Sequence, residues 1–211
     1  PGIYTEDGDL YTENAVPGTA VYGEDLVTRE GTEYRRWDPH RSKAAAALTK
    51  DLEPFPVERD SDVLYLGAST GTTVSHVADI ATAGMVYAVE YAPAVARQLV
   101  TFAEHRDNIA PIIADARTPE EYAPLCSAVD VLYQDVAQRD QVGILQRNAD
   151  TFLREDGHAL LAVKARSIST ETEPEAVFAG VKEQLQESFD IVAGKKLSPF
   201  HDDHLFLVLQ Y

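Results

Sequence analysis

The chain is poor in cysteine, methionine, tryptophan and lysine, and each shortage narrows what it can be. Its one cysteine, Cys126, excludes a disulfide within the chain and any cysteine-cluster metal site. No run of ~18 apolar residues occurs, so no membrane-spanning helix is expected. The opening residues, Pro1-Gly-Ile-Tyr-Thr-Glu-Asp, are polar and acidic, unlike a signal peptide, and an intracellular, cytoplasmic protein is expected. Only six lysines accompany 12 arginines against 35 Asp and Glu, for a net charge of −17. The acids are spread along the whole chain, which argues against a local acidic tail. A uniformly acidic, lysine-poor surface fits a salt-rich cytoplasm. At 1 M salt the Debye length falls to about 3 Å, and self-repulsion is largely screened.

What is present is a full core and a regular alternation. The 211 residues, 45% of them hydrophobic, suffice for one good-sized domain and a small appendage. In residues 1–37, short β-branched and aromatic runs (Gly2-Ile-Tyr-Thr, Leu10-Tyr-Thr, Ala20-Val-Tyr, Leu26-Val-Thr) alternate with Asp-Gly, Pro-Gly and Glu-Gly turns. They predict a small antiparallel β domain, with a second domain over 38–211. A helix is expected over Arg41–Leu52, favoured by Ala44–Ala47 and ended by Pro54 and Pro56. Beyond it strands and helices alternate. Strands are expected at Val63–Leu66, Met85–Val89, Ile109–Ala114, Val129–Tyr133 and Ala159–Lys164. Helices are expected at Thr72–Ala81, Pro93–Glu104, Gln138–Phe152 and Glu173–Ser188, with an irregular loop after the third strand. Two closing strands, Ile191–Leu197 and Leu205–Gln210, complete seven. The pattern is that of an α/β, Rossmann-like, mostly parallel sheet with helices on both faces.

In such a sheet ligands bind beyond the C-terminal strand ends. Four features fall there. The turn Gly67-Ala-Ser-Thr-Gly71 follows the first strand, and Glu90 ends the second, nineteen residues after Gly71. Glycines permit a sharp turn and close approach to a ligand, and an acid at that tip can accept both hydroxyls of a ribose. Two glycines are fewer than a dinucleotide fingerprint needs. A nucleoside cofactor without a pyrophosphate, such as S-adenosylmethionine, fits better. Asp115 follows the third strand, where it could accept an exocyclic amine or simply cap a turn. Asp135 ends the fourth strand and Lys164 the fifth. Adjacent parallel strands lie about 4.8 Å apart, so Asp135 and Lys164 are expected to meet if their strands are neighbours. A lysine closing a buried strand is costly unless paired or neutralised. Lys43 is a candidate second lysine, although a solvated helix residue is the plainer reading. His204 opens the last strand, and His201-Asp-Asp-His204 has no third His or Cys nearby to make a metal site, so none is expected.

Several segments together resemble the archaeal fibrillarin-like 2′-O-ribose methyltransferases. They are Arg36-Trp-Asp-Pro-His-Arg-Ser-Lys43, Tyr65-Leu-Gly-Ala-Ser-Thr-Gly-Thr-Thr73, Val86-Tyr-Ala-Val-Glu-Tyr91, Pro111-Ile-Ile-Ala-Asp-Ala-Arg117, Tyr133-Gln-Asp-Val-Ala-Gln138, Val163-Lys-Ala-Arg-Ser-Ile168 and Leu197-Ser-Pro-Phe-His-Asp-Asp-His204. The resemblance covers nearly the whole chain. It implies a class I methyltransferase fold with S-adenosyl-L-methionine as cofactor. By it, Gly67, Ala68 and Gly71 form the cofactor turn, lined by Thr72 and Thr73. Glu90, followed by Tyr91, holds the ribose; Asp115 and Ala116 hold the adenine; Asp135 and Gln138 lie near the methionine end. The catalytic set falls on Lys43, Asp135, Lys164 and His204, with Lys164 assigned as the base and Lys43 its rival, and with His201 the rival to His204. Asp202 departs from a stretch that is often basic in the family.

The resemblance also implies partners: a box C/D guide RNA, target rRNA and tRNA, a Nop-family scaffold protein and a kink-turn-binding protein. So acidic a chain offers few phosphate contacts, and weak RNA binding is expected from it alone. Arg35, Arg36, Arg41 and Arg166 are the candidates for a local basic patch. Two alternatives stand beside this reading: a guide-independent methyltransferase acting on a small molecule or protein, and a non-catalytic assembly subunit.

Overall fold

A computed structural model describes residues 2–211. Four short strands, β1 (Ile3–Glu6), β2 (Asp9–Glu13), β3 (Leu26–Arg29) and β4 (Thr32–Arg36), form an antiparallel sheet in the order β1-β2-β4-β3. The larger sheet contains β5 (Val63–Leu66), β6 (Val86–Glu90), β7 (Ile109–Ile113), β8 (Val129–Gln134), β9 (Leu153–Lys164), β10 (Asp190–Lys196) and β11 (His204–Gln210). Its order is β10-β11-β9-β8-β5-β6-β7. The five strands from β9 to β7 are parallel, and β10 and β11 are antiparallel additions. The helices are α1 (Lys43–Thr49), α2 (Thr72–Ile80), α3 (Pro93–Ala103), α4 (Gln141–Phe152), α5 (Ala165–Ile168) and α6 (Pro174–Leu185). Among the described residues no helix is long and apolar enough to cross a membrane.

Period-two alternation along the strands builds two cores. Val63, Tyr65, Tyr133 and Phe206 face α1, α2 and α3, where Ala44–Ala47, Val74, Val77 and Leu99 pack on them. Leu64, Leu66, Leu132 and Leu161 face α4 and α6, against Ile144, Leu145, Phe152 and Phe178. All four residues of β5 are buried, as expected of a central parallel strand covered on both faces. The chain reverses its direction of travel across the sheet at β5, which lies between β6 and β8. The crevice at that switch point receives the ends of β5, β6, β7 and β8 together.

Local chemistry shifts several boundaries from the expected ones. Helix α1 starts at Lys43 because Ser42 caps it, its hydroxyl accepting from the Ala45 amide. Helix α4 starts at Gln141, three residues late, because the Asp140 carboxylate takes the Gly143 amide. Strand β9 runs back to Leu153, longer than the apolar stretch suggests. The loop after β7 contains two short 3-10 turns, Pro119–Glu121 and Ala123–Leu125.

The small sheet is joined to α2 by a buried polar seam. Arg35 is fully buried and donates to Glu24 at 2.6 Å, Asp79 at 2.8 Å and Ser75 at 2.7 Å. Asp79 also pairs with Arg106. His76 lies between the hydroxyls of Thr12 (2.7 Å) and Tyr22 (2.9 Å) and stacks on Trp37.

Candidate active site

The turn after β5 owes its shape to two glycines and one strained serine. Gly67 has φ +82°, and a Cβ there would sit 2.4 Å from the Asp135 carbonyl oxygen. The turn therefore packs directly on the end of β8. Gly71 has φ +94°, and a Cβ there would come within 2.8 Å of the Phe102 ring. Between them Ser69 adopts φ +51°, a conformation that needs support from outside. Glu90 supplies it: one carboxylate oxygen accepts from the Ser69 amide at 2.8 Å, the other from the Ala92 amide at 2.8 Å. Each oxygen keeps a second acceptor direction, so the carboxylate can hold the turn and still take two hydroxyls.

A cavity of about 290 Å³ opens above these groups. Gly67, Glu90, Tyr91, Asp115, Ala116, Asp135 and Gln138 line it, with Ser69, Arg117 and apolar Val89 and Ile144. Seven of the eleven residues expected at the cofactor are thus brought together. The other four do not line the cavity. Ala68 is buried, and its carbonyl closes the turn by accepting from Gly71. Gly71 caps α2, Thr72 gives its carbonyl to the Ser75 hydroxyl, and Thr73 points inward, donating to Ser42 at 3.0 Å.

Asp115 takes the turn-capping role of the two open to it in sequence. It caps its own turn through the Arg117 amide and receives the Arg117 guanidinium at 2.5 Å. That side-chain hydrogen bond holds its carboxyl below the usual carboxylate range. Asp115 remains an ionised acceptor on the cavity wall, paired with the exposed Arg117.

At the cavity rim Asp135 pairs with Lys43, not with Lys164. Lys43 Nζ lies 2.7 Å from Asp135 Oδ2, and the two side chains are 20% and 24% exposed. Strands β8 and β9 are neighbours as required, but Lys164 makes no ion pair within 4 Å among the described residues. Lys164 is also exposed, so no burial penalty acts on it. Its backbone is held by buried Gln141, which donates to the Lys164 carbonyl and accepts from its amide, both at 3.2 Å.

Lys164 lies in register with His204 across β9 and β11. His204 Nδ1 is 2.6 Å from the Asp202 carbonyl, which can only accept, so Nδ1 carries the proton and Nε2 presents its lone pair. His201 is turned to a different task, donating from Nε2 to the Pro39 carbonyl at 2.9 Å and tying the tail to the segment before α1. Burial and then the Lys43 charge lower the pKa of His201; burial is also the main cause for His204, with Lys43 and His201 adding to it. No group of three His, Cys, Asp or Glu among the described residues is placed to hold a metal ion.

The expected basic patch does not form. Arg35 is sealed in the seam, Arg36 is paired with Asp9 at 2.7 Å, and Arg166 is paired with Asp203 at 3.0 Å. Among the described residues, Arg41 alone of the four has no carboxylate partner, and it lies instead over the Tyr22 ring.

The fibrillarin family profile matches residues 1–211. The chain belongs to the fibrillarin family. It is 45% identical over 216 residues to the fibrillarin-like rRNA/tRNA 2′-O-methyltransferase of Thermococcus sibiricus, covering all of this chain and 96% of that one. The fold superposes with a TM-score of 0.91 on Aeropyrum pernix fibrillarin in complex with natively bound S-adenosyl-L-methionine, at 46% identity, covering 99% of this chain and 94% of that one. It superposes at 0.92 on a fibrillarin/Nop5p complex, at 41% identity, covering 100% and 98%. Within this fibrillarin fold, three positioning contacts had escaped the sequence reading: Gln141 on Lys164, Thr73 on Ser42 and Arg117 on Asp115. The last has a local signal, since Asp-x-Arg is an ordinary turn spacing. The other two join distant segments and have none.

Proposed function

We propose that the chain methylates ribose 2′-hydroxyls of rRNA and tRNA with S-adenosyl-L-methionine, as the catalytic subunit of a box C/D guide-RNA particle. The observation that carries this is the Lys43–Asp135 pair, set at the rim of a cavity whose walls offer Glu90 and Asp115. The donor set fits the cofactor. Glu90 has acceptor capacity for a ribose diol, Asp115 for the adenine amine, and Gln138 lies on the side of Asp135. When bound, the cofactor supplies an activated methyl on a sulfonium.

The chain's residues do the rest. Asp135, fixed by Lys43, accepts from the incoming 2′-hydroxyl and orients its oxygen. Lys43 adds positive charge where negative charge develops on that oxygen. Lys164, which has no carboxylate partner among the described residues, is assigned as the group that takes the proton, acting as the neutral amine and becoming the ammonium, with His204 Nε2 as a further acceptor. Alignment supplies most of the acceleration, and proton removal about 10²–10⁴-fold. Residues 1–37 act as a small N-terminal β domain and 38–211 as the methyltransferase domain.

The particle's other parts are a guide RNA, a Nop-family scaffold and a kink-turn-binding protein. An acidic chain with few free cations has reason to rely on them for RNA affinity. The net charge of −17 supports work in the salt-rich cytoplasm of an archaeon. The test is methyl transfer from labelled cofactor to target RNA at multimolar salt, with and without guide RNA and both proteins. Transfer at the guide-specified 2′-oxygen only in the full mixture is expected. Transfer by the chain alone to another substrate class would overturn the guided reading.

A further inference from the structure

On the far side of the cofactor turn lies a second cleft, of about 650 Å³, between the loop after β2 and helix α3. Its wall includes Arg41, Thr70, Arg97, Thr101, His105 and Arg106. No aspartate or glutamate lines it, in a chain with 35 of them. Among the described residues eight of the twelve arginines are ion-paired, leaving Arg41, Arg59, Arg97 and Arg139 free, and two of these four meet in this cleft. Arg41 is held over the Tyr22 ring and Arg106 over the Phe102 ring, contacts that fix a guanidinium without neutralising it. Arg106 is 6% exposed and spends one terminal nitrogen on Asp79, while its other, Nη2, has no hydrogen-bond partner. A buried guanidinium nitrogen left unsatisfied is uncommon, and here it belongs to a side chain on the cleft wall. Glu24 and Asp79 balance Arg35 and Arg106, so the uncompensated charge of the cleft comes from Arg41 and Arg97.

We propose that this cleft binds the sugar-phosphate backbone of the target RNA strand, beside the nucleotide being methylated. The assignment rests on the function proposed above and places a further contact for that substrate. Position argues for RNA over an acidic segment of a partner protein. Arg41 stands two residues before Lys43, and Thr70 belongs to the turn whose other side faces the cofactor cavity. A strand with its ribose over Lys43–Asp135 continues naturally across both. Forked guanidinium donors with threonine hydroxyls suit phosphodiester oxygens. Such contacts are short-ranged, so they persist where salt removes long-range attraction.

The test uses the assembled particle with guide RNA and compares wild type with Arg97→Glu and with Arg41→Gln/Arg97→Gln. Arg97 is exposed, so its replacement leaves the fold intact, and the double variant removes charge without adding any. The expected result is a KM for target RNA raised about tenfold, kcat at saturating RNA within twofold and unchanged cofactor affinity by calorimetry. The dependence of log affinity on log salt should lose about one unit of slope per cation removed. Unchanged RNA affinity and salt slope in both variants would overturn the cleft assignment, as would a loss confined to binding of the scaffold protein. Absence of 2′-O transfer by the wild-type particle would instead overturn the proposed function, and the cleft assignment with it.

Discussion

Two polar clusters, the seam under the small sheet and the rim of the cofactor cavity, are built on opposite rules. In the seam around Arg35, Asp79 and His76 the charges are buried and answered within the protein: Arg35 by three partners, Asp79 by two arginines, His76 by two hydroxyls. At the cavity rim the groups are half-open. Among the described residues Glu90 and Asp135 hold one protein partner per oxygen or fewer, Lys164 has no ion pair, and His204 shows a bare Nε2. A satisfied cluster joins two sheets and has nothing left to offer a ligand. An open one contributes little to stability and keeps its hydrogen-bonding capacity for substrate. Charge alone does not distinguish the two; accessible lone pairs and donors do.

The comparison breaks most sharply under a matched pair of substitutions. Asp79→Ala leaves Arg35 and Arg106 buried with a carboxylate removed, and should cost about 3–5 kcal/mol of stability. Against a total of roughly 5–15 kcal/mol that is a large fraction, read as a lowered denaturation midpoint. Lys164→Ala should do the reverse. It should leave the midpoint within ~0.5 kcal/mol, as for an exposed residue, and leave cofactor affinity near normal, while turnover falls about 10²–10⁴-fold. A Lys164→Ala protein that loses fold and cofactor together would remove Lys164 from the chemistry.

The seam and the rim also differ in how visible they were in sequence. The strands and the turn were legible because their signals are local: alternation over five residues, two glycines four positions apart, an acid at a strand tip. Arg35 was misassigned to an RNA patch because nothing in Tyr34-Arg-Arg36 shows which arginine faces inward. That is decided by Asp79 and Ser75, 44 and 40 residues away. The Lys43–Asp135 pair spans 92 residues and had the same problem. The sheet neighbours of Asp135 could be inferred from strand alternation, but not that α1 would deliver its lysine to the same carboxylate. Lys164 was expected to close a buried strand, and β9 does end at it, but its side chain reaches water.

A smaller effect sharpens the contrast through pH. Burial, reinforced by Arg35 and Arg106, keeps His76 neutral with a pKa well below 6.5. The unfolded chain takes up a proton there near pH 6.5 and the native chain does not, so stability should fall as the pH drops through that value. The slope from this one group reaches at most about 1.4 kcal/mol per pH unit. Denaturation curves between pH 8 and 5 should flatten in His76→Gln. A slope identical to wild type would mean that His76 is charged in the seam after all.

The subtlest test joins the two regions' logic at one bond. Thr73 sits in the first turn of α2, next to the cofactor turn, but its hydroxyl faces inward and donates to Ser42, the residue that caps α1 immediately before Lys43. It is a closed, buried contact of the seam's kind serving an open group of the rim's kind. Thr73→Val keeps the shape and removes the donor. Ser42 still accepts from the Ala45 amide, so the helix cap survives and the stability cost should be only about 1 kcal/mol. Lys43, however, would lose the tether that fixes the start of α1 against the cavity. Turnover should drop several-fold with the KM for cofactor unchanged, and Thr73→Ser should restore it, because the serine hydroxyl can make the same bond. If Thr73→Val lowered stability alone and left kcat intact, Ser42 and Thr73 would belong to the seam's economy of closed contacts, and the placement of Lys43 would rest on its pairing with Asp135 by itself.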